Sequence, residues 1–201
     1  MIIAIVLAAG SSSRMGDRNK LLLPIEGEAL VSRVVGVLLQ SAIHQVGVVL
    51  GHQSEEVAAA LTGHRVDLLY NGAYPSGMAS SIVKGVGYLP EGTEGFFIVQ
   101  GDMPNLDVDL INTSMTTFLS LKRDGQQAIV APAYQGKWGN PVLFDAAYAG
   151  KLKTLTGDQG ARKWIKAHPD QLHLIEVDHP NRFLDLDTPE AYQKYVAQLE
   201  D

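Results

Sequence analysis

Residues 2–8 read IIAIVLA, and residues 9–20 continue as AGSSSRMGDRNK. The first stretch is an unbroken apolar run rich in β-branched residues. A strand with one face in water would alternate polar and apolar positions, so this one reads as a strand covered on both faces. The second stretch changes character at once: small residues dominate, and Arg14 and Lys20 stand among them. A buried strand that empties into a loop of small residues opens a helix-covered sheet, and the rest of the chain repeats the alternation.

Over residues 29–42, Leu30, Val34 and Leu38 fall on one helical stripe with Val31, Val35 and Leu39 beside it. Residues 46–50 form a second buried strand, after which Ser54 reads as the cap of a short helix through Leu61. The pattern continues with a strand at 66–70, a helix at 78–89, a strand at 96–100 and a helix at 107–121. Strands at 128–132 and 141–144 follow, then a helix at 157–167 opening on GDQGAR, a strand at 172–177, and a closing helix at 189–199 with Pro189 at an early position. Strands alternating with helices imply right-handed crossovers and a mostly parallel sheet with helices on both faces, an α/β fold. No linker, repeat or low-complexity stretch divides the chain, so residues 1–201 read as one domain. In such sheets ligands bind beyond the carboxyl ends of the strands, and the polar motifs at 10–20, 101–104 and 185–188 are expected there.

The chain has 201 residues, of which 46% are hydrophobic and 19% charged, a globular composition with length enough for a sizeable core. A formal net charge of -6 argues against nonspecific attachment to nucleic acid, which requires a basic surface. The lack of cysteine excludes disulfides and thiolate metal sites, and the six histidines show no metal-ligand spacing. The apolar N-terminus has no basic region ahead of it and is too short to cross a bilayer. Neither nucleic acid nor membrane is expected as a partner, and the cytoplasm is the default location.

Small residues let backbone N–H groups approach a phosphate chain, and Arg14 and Lys20 supply counter-charge. The alternative is a solvated turn with two idle cations. The spacing is neither the GxxxxGK[ST] phosphate loop nor GxGxxG, which disfavours a nicotinamide dehydrogenase. Asp102, in GDMP after an apolar strand, can hold a hard cation against phosphate oxygens, or can simply stabilise a tight turn. Asp187 in DLDTPEAY is the second carboxylate for a metal, with Asp185 as its understudy. Otherwise Asp187 caps the last helix, a role open to Thr188 as well.

LAAGSSSRMGDRNK (7–20), NGAYPSGMASS (71–81), GDMP (101–104), GNPVLF (139–144), GDQGAR (157–162) and DLDTPEAY (185–192) together resemble the molybdenum cofactor guanylyl- and cytidylyltransferases. The LAAG opening, GMASS and GDQGAR are most similar to the cytidylyl branch, which joins CMP to molybdopterin. The resemblance implies a three-layer α/β/α, Rossmann-like nucleotidyltransferase fold. It also implies a Mg²⁺- or Mn²⁺-dependent transfer of CMP from CTP to a phosphorylated acceptor of the molybdopterin type, with pyrophosphate released and a molybdoenzyme as a further partner.

Carried over residue by residue, it places the nucleotide on Leu7, Ala8, Ala9, Gly10, Ser11, Ser12, Arg14, Met15, Gly16 and Lys20. Arg14 is implied to hold phosphates, Lys20 to neutralise charge at the α-phosphate, and Asp102 with Asp187 to bind the metal beside Gly101. Asn71, Met78 and Ser81 belong to the segment that reads base and ribose, Ser81 being the first choice for a pyrimidine. Met78 can equally be core, and Asn71 can simply end a strand. On the acceptor side, Asn140 stands where relatives frequently carry His and cannot become cationic. Arg162 and Asp158 either face an acceptor phosphate or are a solvated cation and a helix cap. GMP transfer from GTP, transfer to a sugar phosphate, and a non-catalytic nucleotide-binding accessory role remain alternatives.

Overall fold

The computed structural model describes residues 1–16, 18–158 and 160–199. After β1 (Ile2–Ala8) come two single-turn 3-10 segments, a hairpin of β2 (Pro24–Ile25) and β3 (Glu28–Ala29), and α1 (Leu30–Gln40). Then follow β4 (Gln45–Leu50), α2 (Ser54–Ala60), β5 (Asp67–Tyr70), α3 (Met78–Tyr88), β6 (Gly95–Gln100) and α4 (Val108–Arg123). The chain continues through β7 (Ile129–Tyr134), β8 (Lys137–Trp138), β9 (Val142–Asp145), α5 (Ala149–Leu152), α6 (Arg162–Ala167), β10 (Leu172–Glu176) and α7 (Pro189–Leu199).

The main sheet has the order β10-β7-β9-β6-β1-β4-β5, with β8 paired to β7. β1 lies parallel to β4 and β6, β4 to β5, and β7 to β10, while β9 is antiparallel to both β6 and β7. The sheet is therefore mostly parallel, as expected, and its parallel strands present their carboxyl ends at one edge. Because β9 runs the other way, its amino end, and Asn140 just before it, reaches that same edge. The strand order reverses between β6 and β1, which puts the crevice for a ligand beyond Leu7 and Gln100.

The unbroken apolar run of β1 is explained by its central place. Ile2, Ala4, Val6 and Ala8 pack towards α1, α2, α4 and α7, whereas Ile3 and Ile5 pack towards α3, α5 and α6. Each face therefore needs every second residue to be apolar, so all of them are. Gly85 of α3 rests directly on Ile5: a Cβ there would come within 2.3 Å of Ile5 Cγ2, so a glycine lets the helix sit close on the sheet. Phe96 and Phe144 stack across the β6–β9 pair with ring centroids 5.6 Å apart, a contact worth roughly 0.5–1.5 kcal/mol beyond the area it buries.

Three sequence expectations are corrected. Ser54 does not cap α2: Gln53 holds the cap position in a left-handed conformation without a side-chain bond, and Glu55 and Glu56 supply the favourable charge in the first turn. The helix expected over 157–167 is confined to Arg162–Ala167, because Gly157 has φ +65° and cannot join a helix; Gln159 lies outside the described residues. The short elements α5 and β8 carry too few residues to show a period. At α7, Thr188 Oγ1 accepts from Ala191 N at 3.2 Å, so Thr188 is the cap and Asp187 is free of that duty. Among the described residues no helix is long and apolar enough to cross a membrane.

Candidate active site

A cavity of about 510 Å³ opens at the crevice between the ends of β1 and β6. Leu7, Ala9, Gly10, Ser11, Lys20, Met78, Ser81 and Asp102, all singled out in the sequence, line it. The loop that contributes half of them is organised by Ser12. This residue adopts φ +51° and its carbonyl accepts from Met15 N at 2.7 Å, while its Oγ accepts from Lys20 N at 3.2 Å and donates to Asn19 Oδ1 at 3.5 Å. Asn19 Oδ1 in turn accepts from Leu21 N at 3.1 Å. The backbone of Lys20 is thereby fixed independently of its side chain.

Several expected nucleotide contacts fall elsewhere. Ala8 packs into the core and Met15 is buried with its N–H closing the loop, so neither side chain lines the cavity. Ser12 serves the loop, and Gly16 provides a turn with φ +66°. The Gly101 N–H donates to Leu7 O at 3.1 Å and joins the two strand ends. Met78 is 45% exposed, which sets aside the core alternative. Asn71 is buried and positions its neighbours: Nδ2 donates to Ser80 Oγ at 3.0 Å and Ser81 Oγ at 3.2 Å, and Oδ1 accepts from Ala73 N at 3.1 Å. Since Ser81 Oγ already accepts from Asn71, its own proton remains for an acceptor in the cavity.

The charged centre is built from three distant segments. Leu186 is fully buried and its N–H reaches Asp102 O at 3.4 Å, so the flanking Asp185 and Asp187 are drawn to the end of β6. Lys20 Nζ pairs with Asp102 and donates to Asp187 Oδ1 at 2.7 Å; Arg14 Nη1 lies 2.9 Å from Asp187 Oδ2. Burial alone would lower the Lys20 ammonium, but the charge and hydrogen bond of Asp102, and then those of Asp187, raise it above its ordinary value. For Asp187, burial pushes upward and the bond and charge of Lys20, with Arg14, prevail and hold the carboxyl low. Asp185 is pushed up to about 7 by burial first and by the charges of Asp102 and Asp187 second, and its buried Oδ1 has no hydrogen-bond partner among the described residues.

These residues fit a divalent metal. Two carboxylates converge on one cation, and Lys20 is the stand-in. A small hard cation takes one or two carboxylates and completes its shell with phosphate oxygens and water, which two carboxylates at one point can serve.

Sequence reasoning missed His52, Tyr74, Pro75 and Gln100, which also line the cavity. His52 follows β4, its backbone N donates to Ala9 O at 3.2 Å, and its ring faces Tyr74 with centroids 6.2 Å apart. GHQS is a polar motif after a buried strand, the same signal that exposed the other motifs. A second cavity of about 330 Å³ shares Leu7, Met78, Gln100 and Asp158 with the first. Its floor is apolar, and Trp138, Asn140 and Arg162 stand around it. The Arg162 guanidinium lies 4.7 Å over the Trp138 ring at the side of this cavity, so it is an exposed cation that is also stacked. Asp158 is not a helix cap, because α6 begins four residues later. It comes close because Gly77, at φ +112°, has no Cβ to meet Gly157 O and Asp158 Oδ1, both 2.5 Å away from that position. Trp164 packs on Tyr148 and His168 away from both cavities.

Among known proteins, the chain is 28% identical over 204 residues to nicotine blue oxidoreductase of Paenarthrobacter nicotinovorans, covering 97% of this chain and 96% of that one. It is 29% identical to purine catabolism protein PucB of Bacillus subtilis, with 95% and 94% covered. The molybdenum cofactor cytidylyltransferase of Escherichia coli is 26% identical, with 94% and 92% covered. A crystal structure of Rv0371c from Mycobacterium tuberculosis superposes with a TM-score of 0.85 at 24% identity, covering 98% and 97%, and a manganese complex of that protein gives 0.81 at 22% identity, covering 98% of both chains. At such identities the structural likeness is one of fold. The small-residue loop, Asp102 and the residues lining the first cavity lie within residues 4–172, which match the MobA-like NTP transferase domain, and Asp187 follows that stretch; the protein belongs to that family of nucleotidyltransferases.

Proposed function

We propose that the protein, as one domain over residues 1–201, transfers CMP from CTP to a phosphorylated acceptor of the molybdopterin type and releases pyrophosphate. The observation that carries this reading is the convergence, in one cavity, of the small-residue loop, Lys20, Asp102 and Ser81. The loop backbone from Ala9 to Ser11 and the Arg14 guanidinium hold the β- and γ-phosphates. Lys20 lies nearest the carboxylates and stabilises the charge that shifts to the bridging oxygen as the α-phosphorus is attacked. Phosphoryl-type transfer depends mainly on positioning and electrostatics, so no protein nucleophile is required. A Mg²⁺ or Mn²⁺ ion held by Asp102 and Asp187 would neutralise phosphate oxygens at this place.

Ser81, oriented by Asn71, donates to an acceptor on the pyrimidine, and the LAAG opening supports CTP over GTP. The second cavity receives the acceptor, with its ring against Trp138 and its polar groups towards Asn140 and Arg162. Relatives named as molybdenum cofactor cytidylyltransferase and guanylyltransferase support the acceptor and are neutral on the base. The test is pyrophosphate release with CTP and with GTP, each with Mg²⁺ and molybdopterin. Turnover with CTP is expected to exceed that with GTP; a preference for GTP rejects the base assignment, and pyrophosphate release that molybdopterin does not increase rejects the acceptor.

A further inference from the structure

Lys20 stands where two carboxylates meet. Its Nζ pairs with Asp102 and with Asp187 Oδ1 at 2.7 Å, and Arg14 Nη1 takes Asp187 Oδ2 at 2.9 Å. Both oxygens of Asp187 are thus committed to cations. A magnesium-sized ion needs such oxygens at about 2.0–2.1 Å, which leaves no room for an ammonium on the same atoms, and the two like charges repel. Asp102 is 4% exposed, so water does little to screen that repulsion.

We propose that Lys20 closes the metal position in the nucleotide-free protein, and that a triphosphate opens it. The phosphates offer Lys20 and Arg14 stronger anionic partners, and the ammonium swings from the carboxylates to the nucleotide. The hinge is visible: Ser12 Oγ fixes the Lys20 backbone at 3.2 Å, so only the flexible side chain has to move. Without nucleotide two carboxylates stand against two cations; with it the metal takes the carboxylates and the two cations take the phosphates, so each anion keeps a cationic partner. Metal and nucleotide therefore enter together, and the bare protein does not retain stray divalent ions.

The proposal rests on Asp102 and Asp187 being the metal-binding pair, and its test needs no turnover. Binding of Mn²⁺ to nucleotide-free protein is followed by loss of the free-ion EPR signal. Lys20→Met is expected to bind Mn²⁺ about tenfold or more tighter than wild type. Arg14→Met removes the same charge from an exposed group on Asp187 alone and gains less, while Lys20→Met combined with Asp102→Asn loses the gain. Added Mn²⁺ is expected to raise the Tm of Lys20→Met and to leave that of wild type unchanged.

Equal Mn²⁺ affinity in wild type and Lys20→Met, or an equal gain in Arg14→Met, overturns the proposal. So does a tight Mn²⁺ site on nucleotide-free wild type, which requires no variant. If Lys20→Met does not fold, Lys20→Gln keeps a polar head without charge and is held to the same outcomes. A different result distinguishes the underlying reading: if Asp102→Asn with nucleotide binds Mn²⁺ as wild type does, the metal pair itself is wrong.

Discussion

The two cavities share Leu7, Met78, Gln100 and Asp158, yet their walls differ in chemistry. The first gathers charge: Lys20 and Asp102 face it, with Asp187 and Arg14 directly behind. The second has a floor of Ile82, Ile98, Val142 and Phe144, with Trp138 and the stacked Arg162 at its side. A fixed charge acts most strongly where partial charges move during a reaction, whereas an apolar wall acts by burying surface. The contrast teaches a division of labour: removal of a charged group from the first cavity should alter rate, and removal of an aromatic wall from the second should alter affinity for one substrate.

The severest way to break the comparison is Asp102→Ala, which is expected to abolish divalent-dependent turnover. Pyrophosphate release measured against Mg²⁺ concentration checks it, and an unchanged profile removes Asp102 from the reaction. Asp187→Ala should be milder, because a second ligand can act through water.

Next comes Lys20→Met. Its kcat should fall about a hundredfold or more, the usual cost of deleting one preorganised electrostatic contact, while NTP affinity by equilibrium titration changes much less. Collapse of affinity with kcat near wild type at saturation would make Lys20 a binding residue only.

Two variants sharpen the contrast at lower magnitude. Ser81→Ala should narrow any preference for CTP over GTP by about three- to tenfold, the worth of one ordinary hydrogen bond, as read by competition binding. Trp138→Ala should raise the acceptor KM and leave NTP affinity intact, since one aromatic contact contributes about 0.5–1.5 kcal/mol. If Trp138→Ala weakens NTP and not the acceptor, the two cavities are assigned in the wrong order.

The smallest effect lies at the opposite edge of the sheet. Hydrogen bonds from Tyr88 and then Gln45 hold the Asp67 carboxyl below its usual range, against a small opposing effect of burial. A lowered folded value means the stabilisation is present above the ordinary carboxylate pKa and is lost as pH falls through the folded one. Asp67→Asn should flatten that acidic part of a Tm-against-pH curve and leave the kinetic constants alone. A change in kcat would show that the two edges are not independent.

The helices and strands were largely legible because each announces itself through a short-range period. β1 is apolar at every position because both of its faces are covered, and α1 repeats its stripe on one face. Where the pattern failed, the reason is local geometry: Gly157 at φ +65° shortens the helix expected over 157–167, and β8 has only two residues. Ser54 misled because a serine at the start of an apolar period is a good cap only if it lies one residue earlier than it does.

Part of the site was legible for the same reason, since polar motifs placed after buried strands must emerge at the ligand edge of a parallel sheet. Lys20 and Asp102 were found that way, whereas Met78 and Ser81 came only from the family resemblance of the motif at 71–81. His52 carried the same signal, and Tyr74 stood inside a quoted motif, but side-chain direction decides whether such residues enter a cavity. Asn71 shows the converse, because its hydrogen bonds turn it inward to orient Ser81.

The amino-acid sequence by itself determined the α/β alternation, the positions of the loop and the two acidic motifs, and the absence of thiolate chemistry. Those follow from periodicity and composition, which are properties of neighbouring residues. Only the tertiary structure decided that Lys20 bridges carboxylates 82 and 167 positions away, and that Thr188 rather than Asp187 caps the last helix. It also decided that Gly77 lets Asp158 reach the rim between the cavities. An ion pair is set by the direction and burial of side chains from segments far apart in the chain, and no local pattern encodes that.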